Sequence, residues 1–477
     1  MAVALVAPKS SAGDLTVDTE VRTGAGEASA SVAFGPGTVG HQTAKQIWTK
    51  YPASEIDFIA PTAGAGSATL DLTFANSPTS NITVYLDIHG VEFEVAWLAG
   101  ESADDIRDTV ISAINERTSQ LMVAASTGGT GIVTITAKIA GNVGNDILIY
   151  ASLSEQSGTE TINSGTSVSS ALSGGSSDPD LTNALAALSA KEYDIILPCL
   201  SNTDVANTAS TNNLKRIVNH ISAYNSGLNA KLQQFVVGYT GTVALAVATS
   251  SHSNSANNVD FGEIILCIAG RDLPSVLAGR EVADWLVRYS SDPSANRIGQ
   301  IFDGIVGAKD KLTNTPTDAE LQTLIGNGVS PISYTKQLSP KLVRPVTTHS
   351  QDDAGGADRR VLDVQNVVAE YVVARDIRDT LPSAFPQAKI SEDLAEGEEP
   401  VPGVTEVRDV KAWLGDRLMA WADDGVLNKA RVRTVISDGS LIVQVNGTDA
   451  TQVDIVLPKK IVQPWAKTSL VSQREPS

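Results

Sequence analysis

Basic residues are in short supply. Lys and Arg number 35 against 54 Asp and Glu, a formal charge of −19. So acidic a chain is a poor candidate for direct nucleic-acid binding, which depends on cationic contacts to phosphate. Cysteine is scarce too: Cys199 and Cys267 each sit within an apolar run, IILPCL and EIILCIAG, and read as buried thiols. The five histidines, His41, His89, His220, His252 and His349, are scattered and form no H-E-x-x-H or His/Cys cluster, so no metal is expected. No apolar run approaches the roughly 20 residues that span a bilayer, which leaves no membrane insertion to expect. The opening MAVALVAPKSSAGD lacks the basic n-region of a secretory signal, so cytoplasmic synthesis is the expectation. What remains is ordinary globular composition, 42% hydrophobic and 19% charged over 477 residues, enough for about two to four domains.

Gly35, Gly37 and Gly40 form a G-x-G-x-x-G between SVAFG, read as a strand, and TVGHQTAKQIWTKY, read as a helix. A dinucleotide site also needs a ribose-binding acid at the carboxyl end of the next strand. Here Glu55 and Asp57 open the strand EIDFIAP, which ends in Ala60-Pro61, and Pro36 removes an N–H from the loop. The glycines therefore read as a tight turn into a packed helix, with no nucleotide cofactor.

After a small-residue linker, TAGAGSAT, the period becomes two. Leu70, Leu72 and Phe74 alternate, then Ile82 to Ile88, then Val91 to Trp97, with His89-Gly90 as a hairpin turn. Ser102 and Asp105 make a capping box ahead of Ile106, Val110, Ile111 and Ile114 at helical spacing. Strands return at GIVTITAK and DILIYASL. Residues 65–155 thus read as a small α+β domain inserted in another, and the Ser/Gly/Thr-rich 156–177 as a flexible return linker.

Helix–strand alternation resumes with DPDLTNALAALSAK, YDIILPC, a helix bearing Leu214, Ile217, Val218 and Ile221, the strands QFVVGYT and FGEIILCI, and a helix with Pro274 in its first turn. Continuous apolar strands between amphipathic helices indicate an α/β core, a sheet with helices on both faces. A third, α+β region begins near residue 326. It holds two strand-like runs, a long helix over 361–380, an acidic loop SEDLAEGEEPVPG, and a helix capped by Thr405. The strands KARVRTVIS and SLIVQVNG pair across Asp438-Gly439, Asn446-Gly447 makes a further turn, and QVDIVLP is a last alternating run.

No Walker lysine and no G-x-S-x-G elbow is present. The acidic pairs Asp352-Asp353, Glu398-Glu399 and Asp423-Asp424 read as solvated surface. No catalytic constellation is found, and the chain is expected not to be an enzyme.

Several stretches do resemble a known family. GPGTVG with its helix and strand, EYDIILPCLSNTD, KLVRPVTTHS, RRVLDVQNVVAEYVVARDIRDTLP, TEVRDVKAWLGDRLMAWADDGVLN and ATQVDIVLPKKIVQPWAK are similar to the tail sheath proteins of contractile-tailed phages, most closely the Mu-like branch. The last two are the most specific. The resemblance spans about 30–64 and 178–468; the long helix departs from it in keeping only Arg375 and Arg378 of an expected basic run.

The resemblance implies a structural subunit of a virion, assembled in the host bacterial cytoplasm. It would stack as hexameric rings in a helical polymer around a tail tube protein, meet baseplate and tail terminator proteins, and contract to drive the tube through the host envelope. A tube or baseplate component is the alternative. The implied layout is an N-terminal arm 1–27, an α/β core 28–64 and 178–325, the insertion 65–155, the linker 156–177, a sheath domain 326–450 and a C-terminal arm 451–477. Arms of this kind add strands to a neighbour's sheet, a role expected of Val3 and Leu5 in MAVALVA and of Val453, Ile455, Val456 and Leu457 in QVDIVLP. Glu406, Arg408, Asp409, Lys411, Asp416 and Arg417, one mixed-charge helix face, are the expected tube contact.

Overall fold

The computed structural model divides the chain into two compact units, residues 1–287 with 297–362, and residues 288–296 with 363–477. It describes all residues except 208, 210–211, 226–230, 254–261, 351–355, 357–361, 387–388, 394–398, 400–401, 449–452, 459–460 and 463–477. Asp352-Asp353, Glu398, the turn after KLVRPVTTHS and most of 451–477 lie outside the described residues.

In the larger unit, eight strands lie side by side in the order Pro340–Leu342, Ser330–Tyr334, Gly262–Leu266, Gln234–Tyr239, Ile195–Pro198, Val3–Val6, Ile56–Ile59 and Arg22–Gly24. The six inner strands run parallel, and the two outermost are antiparallel to their neighbours. Runs such as VALV and IILP are apolar throughout because both faces are covered. Ala4, Val6, Ile196, Val237 and Ile264 share a core with Leu185, Leu214, Ile217 and Leu324 of the helices Thr182–Leu188, Asn213–Asn225 and Asp318–Gly326. On the opposite face Phe34 and Trp48, from Glu27–Phe34 and Val39–Lys50, meet Phe58 edge-on with ring centroids 5.2 and 5.9 Å apart. The α/β core with helices on both faces is therefore the observed class.

Several expectations need correction. MAVALVA is no free arm: Val3–Val6 pairs in parallel with strands on both sides and is buried, so neither Val3 nor Leu5 has an edge to donate. SVAFG is helical, because Ala30, Ala33 and Phe34 bury at i, i+3, i+4 spacing within Glu27–Phe34. The helix Val243–Ser253 was not expected; its alanine-rich run is apolar all round and shows no stripe, although alanine is the strongest helix former. Ser330–Tyr334 and Pro340–Leu342 extend the core sheet, so the larger unit continues to Leu362 instead of ending at 325.

The insertion is two four-stranded antiparallel sheets. One has the order Thr161–Ile162, Thr69–Ala75, Ile132–Ala137, Val123–Gly129, and the other Ser167–Ala171, Leu148–Leu153, Ile82–Ile88, Val91–Trp97. The helix Ala103–Asn115, held by the Ser102/Asp105 capping box, packs on the first sheet through Ile106, Val110 and Ile114. Phe74 and Trp97 join the sheets edge-to-face at 5.8 Å. The stretch 156–177 is not a flexible tether, since it supplies an edge strand to each sheet. Nor is the entry loose: Asn142 N donates to Ser177 O (2.9 Å), Gly141 N to Gly66 O (2.8 Å) and Ser176 N to Ala65 O (2.9 Å). A Cβ on Gly64 would stand 2.0 Å from Ser177 O, so only glycine fits this crossing.

In the smaller unit, the helices Val364–Ala384, Val407–Asp423 and Lys429–Ser437 share a core of Val373, Ile377, Val410, Leu414, Leu418, Val432 and Val435. KARVRTVIS is therefore a helix and not a strand. Asn428 caps it by accepting from Arg431 N at 3.0 Å, Val432 and Val435 bury three apart, and Gly439 at φ 77° ends it. The hairpin forms one segment later, Ile442–Val445 against Val453–Val456.

Beneath the large sheet lies a buried ionic cluster. Arg297 Nη2 donates to Glu281 Oε2 (2.5 Å), Trp285 Nε1 to Glu281 Oε1 (2.9 Å) and to Glu263 Oε2 (3.2 Å), and Ser330 Oγ to Glu263 Oε1 (2.6 Å). Burial, and then the Glu281 carboxylate, push the Glu263 carboxyl well above its ordinary range against the pull of Arg297. An acid raised in this way loses stability as pH climbs from its unfolded value towards its folded one. Glu263→Gln is expected to raise Tm at pH 8 by about 2–4 °C and to give no gain at pH 4, measured by thermal unfolding at both.

The isolated bridge between Thr62 and Asp180 brings the two ends of the insertion together. Excising residues 64–177 behind a two-residue linker is expected to leave a folded α/β core by circular dichroism. Excising 65–155 strands Thr161–Ile162 and Ser167–Ala171 without partners and is expected to give aggregated protein.

Candidate functional site

Residues expected to carry function fall in three places. Around the glycine motif, Gly35 and Gly37 take φ of 95° and 73° in a turn between two helices, not between a strand and a helix. Gly37 N donates to His41 Nδ1 (2.9 Å), and Thr38 Oγ1 caps the following helix by accepting from His41 N. A Cβ on Gly37 would stand 2.2 Å from Thr118 O, which leaves no space for a pyrophosphate. Asp57 is likewise committed, accepting from Lys191 Nζ and Tyr193 Oη at 2.8 Å each.

The second place is Val407–Asp423. Its start lies one residue later than expected, with Glu406 and not Thr405 as the cap residue. Glu406 N donates to Asp409 Oδ2 (3.2 Å), and Arg408 N to Asp393 Oδ1 (2.7 Å), so two of the helix's first amides are satisfied. Val407, Val410, Leu414, Leu418 and Ala422 face the core. The six residues expected on one working face divide by environment. Glu406 is buried, and its Oε2 lies 2.8 Å from Arg408 Nε. Arg417 is tied to Asp376 of the long helix: its Nε donates to Oδ2 at 2.6 Å and its Nη2 to Oδ1, while Trp421 Nε1 adds a third bond at 2.8 Å. Arg408, Lys411 and Asp416 border a groove of about 580 Å³ between this helix and Lys429–Ser437. Ala412, Met419 and Ile436 supply its apolar walls, and Gly415, whose Cβ would sit 3.7 Å from Ile436 Cδ1, keeps it open. Arg433 adds a third cation, which sequence reading missed because its helix was taken for a strand.

The third place is the hairpin. Val453, Ile455 and Val456 pair with Val445, Val443 and Ile442 of their own chain. Ile455 and Leu457 pack against the unit's core, while the cross-strand pair Ile442 and Val456 is 45% and 51% exposed. Among the described residues neither strand has a second partner, so the two-stranded sheet has two open edges.

No protein-family model matches the chain, and no curated protein matches it. Among solved structures, it is similar to the sheath tail protein of Desulfitobacterium hafniense, with 12% identity, 96% of each chain covered and a TM-score of 0.47. It is also similar to a sheath tail protein of Listeria innocua (11% identity, 89% of this chain and 85% of that one, TM-score 0.43). A chain of the anti-feeding prophage baseplate is similar at 12% identity over 64% of this chain and 76% of that one, with a TM-score of 0.41.

The Asp376 cluster yields a stability test. Burial would raise this carboxyl's pKa, but the bonds from Arg417 and Trp421 outweigh it and hold the carboxyl below its ordinary range. Stability from a depressed acid is present above its unfolded pKa and is lost as pH falls through the folded one. Asp376→Ala is expected to cost about 1–2 kcal/mol at pH 7 in denaturant unfolding, towards the low end because the Arg417 side chain is 39% exposed. The cost should shrink as pH falls below the ordinary carboxylate range.

Proposed function

We propose that the chain is a structural subunit of a contractile phage tail sheath, polymerising as stacked hexameric rings around a tail tube and shortening to drive the tube through the host envelope. One observation carries this reading. TEVRDVKAWLGDRLMAWADDGVLN and QVDIVLP, the stretches most like sheath sequences, pack into a single core whose hairpin keeps two open edges. Open edges with an exposed Ile442/Val456 pair suit strand addition between subunits through Val453, Ile455, Val456 and Leu457. A linkage of that kind preserves connectivity while neighbours slide and rotate.

Tube attachment is assigned to the groove. Arg408, Lys411 and Arg433 ring an apolar floor, a surface suited to an acidic partner and weakened by salt. Of the originally expected face, Arg408, Lys411 and Asp416 keep that role, with Asp409 exposed beside them. Glu406 and Arg417 act through the helix they hold in place. Contraction needs no nucleotide: at about 25 cal/mol per Å² of apolar area, a few hundred additional Å² per subunit supply several kcal/mol before opposing costs.

Negative-stain microscopy of concentrated protein is expected to show rings or tubes. Arg408→Glu with Lys411→Glu and Arg433→Glu should leave such polymers intact while abolishing co-sedimentation with tail tubes. Persistent monomers whose Tm rises with added nucleotide would overturn the reading.

A further inference from the structure

The insertion presents a side-chain grid that sheet assembly does not use. On the sheet containing Ile82–Ile88, Val91–Trp97 and Leu148–Leu153, the buried positions Val84, Leu86, Ile88, Ile149 and Ala151 face the insertion's core. The alternate positions fall into two adjacent rows. Register sets Ser152, Tyr85 and Glu94 side by side, and next to them Tyr150, Asp87 and Glu92. The second row is occupied. Arg271, which follows the core strand Gly262–Leu266, donates through Nη1 to Glu92 Oε1 (2.9 Å) and to Asp87, and Lys309 Nζ lies 4.3 Å from the Tyr150 ring centroid. The first row is open. Tyr85 is 42% exposed and Glu94 is exposed, and among the described residues neither of these side chains nor that of Ser152 has a hydrogen-bond partner.

These residues wall a crevice of about 230 Å³. Arg271 lines it while more than nine-tenths buried, held by its bonds to Asp87 and Glu92.

We propose that this crevice binds a neutral sugar. An anion meets three carboxylates, Asp87, Glu92 and Glu94, and a cation meets Arg271 and Lys309, so a ligand without net charge fits best. An apolar ligand would leave the Glu94 carboxylate unpaired. A pyranose ring answers each feature. Its C–H face, weakly positive, packs on the electron-rich face of the exposed Tyr85 ring. Its hydroxyls donate to Glu94 and exchange bonds with Ser152. The volume lies below the roughly 300–1,000 Å³ of pockets for drug-sized ligands and suits one or two sugar rings. Because two of its ten lining residues, Arg271 and Lys309, come from the core, an occupied site also braces the insertion against it. The inference is independent of the sheath reading.

Saturation-transfer NMR of the full-length protein with glucose, galactose and N-acetylglucosamine, each at millimolar concentration, tests it. Transfer to the ring C–H protons of at least one sugar is expected. That signal should fall about fivefold or more in Tyr85→Ala and in Glu94→Gln, and should persist in Tyr85→Phe, with unchanged Tm as the folding control. The two affected variants act on different groups, so one that fails to fold leaves the other as the test. Absence of transfer to all three sugars, or undiminished transfer in a folded Tyr85→Ala or Glu94→Gln, would overturn the proposal.

Discussion

The two-sided pairing of Val3–Val6 is the constraint on which the larger unit depends. Each of its four residues is in register with Ile195–Pro198 on one side and Ile56–Ile59 on the other. Without it the sheet falls into a two-stranded fragment and a five-stranded one, each with a new unpaired edge. The pairing brings the chain's first residues against residue 195, closing a loop of nearly 200 residues that encloses the whole insertion. Loop-closure entropy grows only slowly with length, so such a contact is tolerable thermodynamically but slow to form. It also explains why the junction at Gly64, Gly141 and Ser177 is so tightly bonded: the insertion leaves and rejoins a sheet whose strands must stay in register on both sides.

The smaller unit follows another logic. Its helices are held by an apolar core and by one carboxylate, Asp376, which binds Arg417 and Trp421 together. Its hairpin contributes one apolar face and leaves the other, with both edges, uncovered. That arrangement suits the proposed role, a unit that folds on its own and keeps strand edges free for addition. Since Val3–Val6 is committed to its own sheet, the strand addition proposed between subunits falls to the C-terminal segment.

Legibility in the sequence tracked the strength of local signals. Ser102 with Asp105 marked a helix start correctly, and the alternating runs of the insertion marked its strands, because a period of two or a capping pair is a local property. VALV failed as an arm because position in the chain says nothing of position in a sheet; its uniform burial is the same signal that correctly marked IILP. KARVRTVIS failed because its apolar residues alternate at some positions and recur three apart at others, and the Asn428 cap decides between the two. Of the candidate groove, Arg408, Lys411 and Asp416 were legible from helical spacing. Arg433 and Ile436 were hidden by that misread helix, and the commitment of Arg417 to Asp376 is a tertiary pairing 41 residues apart.

Hydrogen exchange of the N-terminal amides, compared between monomer and polymer, tests the central claim most directly. The account predicts that amides of residues 3–6 are among the slowest in the chain in both states, while the outward amides of residues 442–445 and 453–456, those not bonded across the hairpin, gain protection only on assembly. Rapid exchange at 3–6 in the monomer, with protection appearing only in the polymer, would contradict it and return that strand to the role of an exchanged arm.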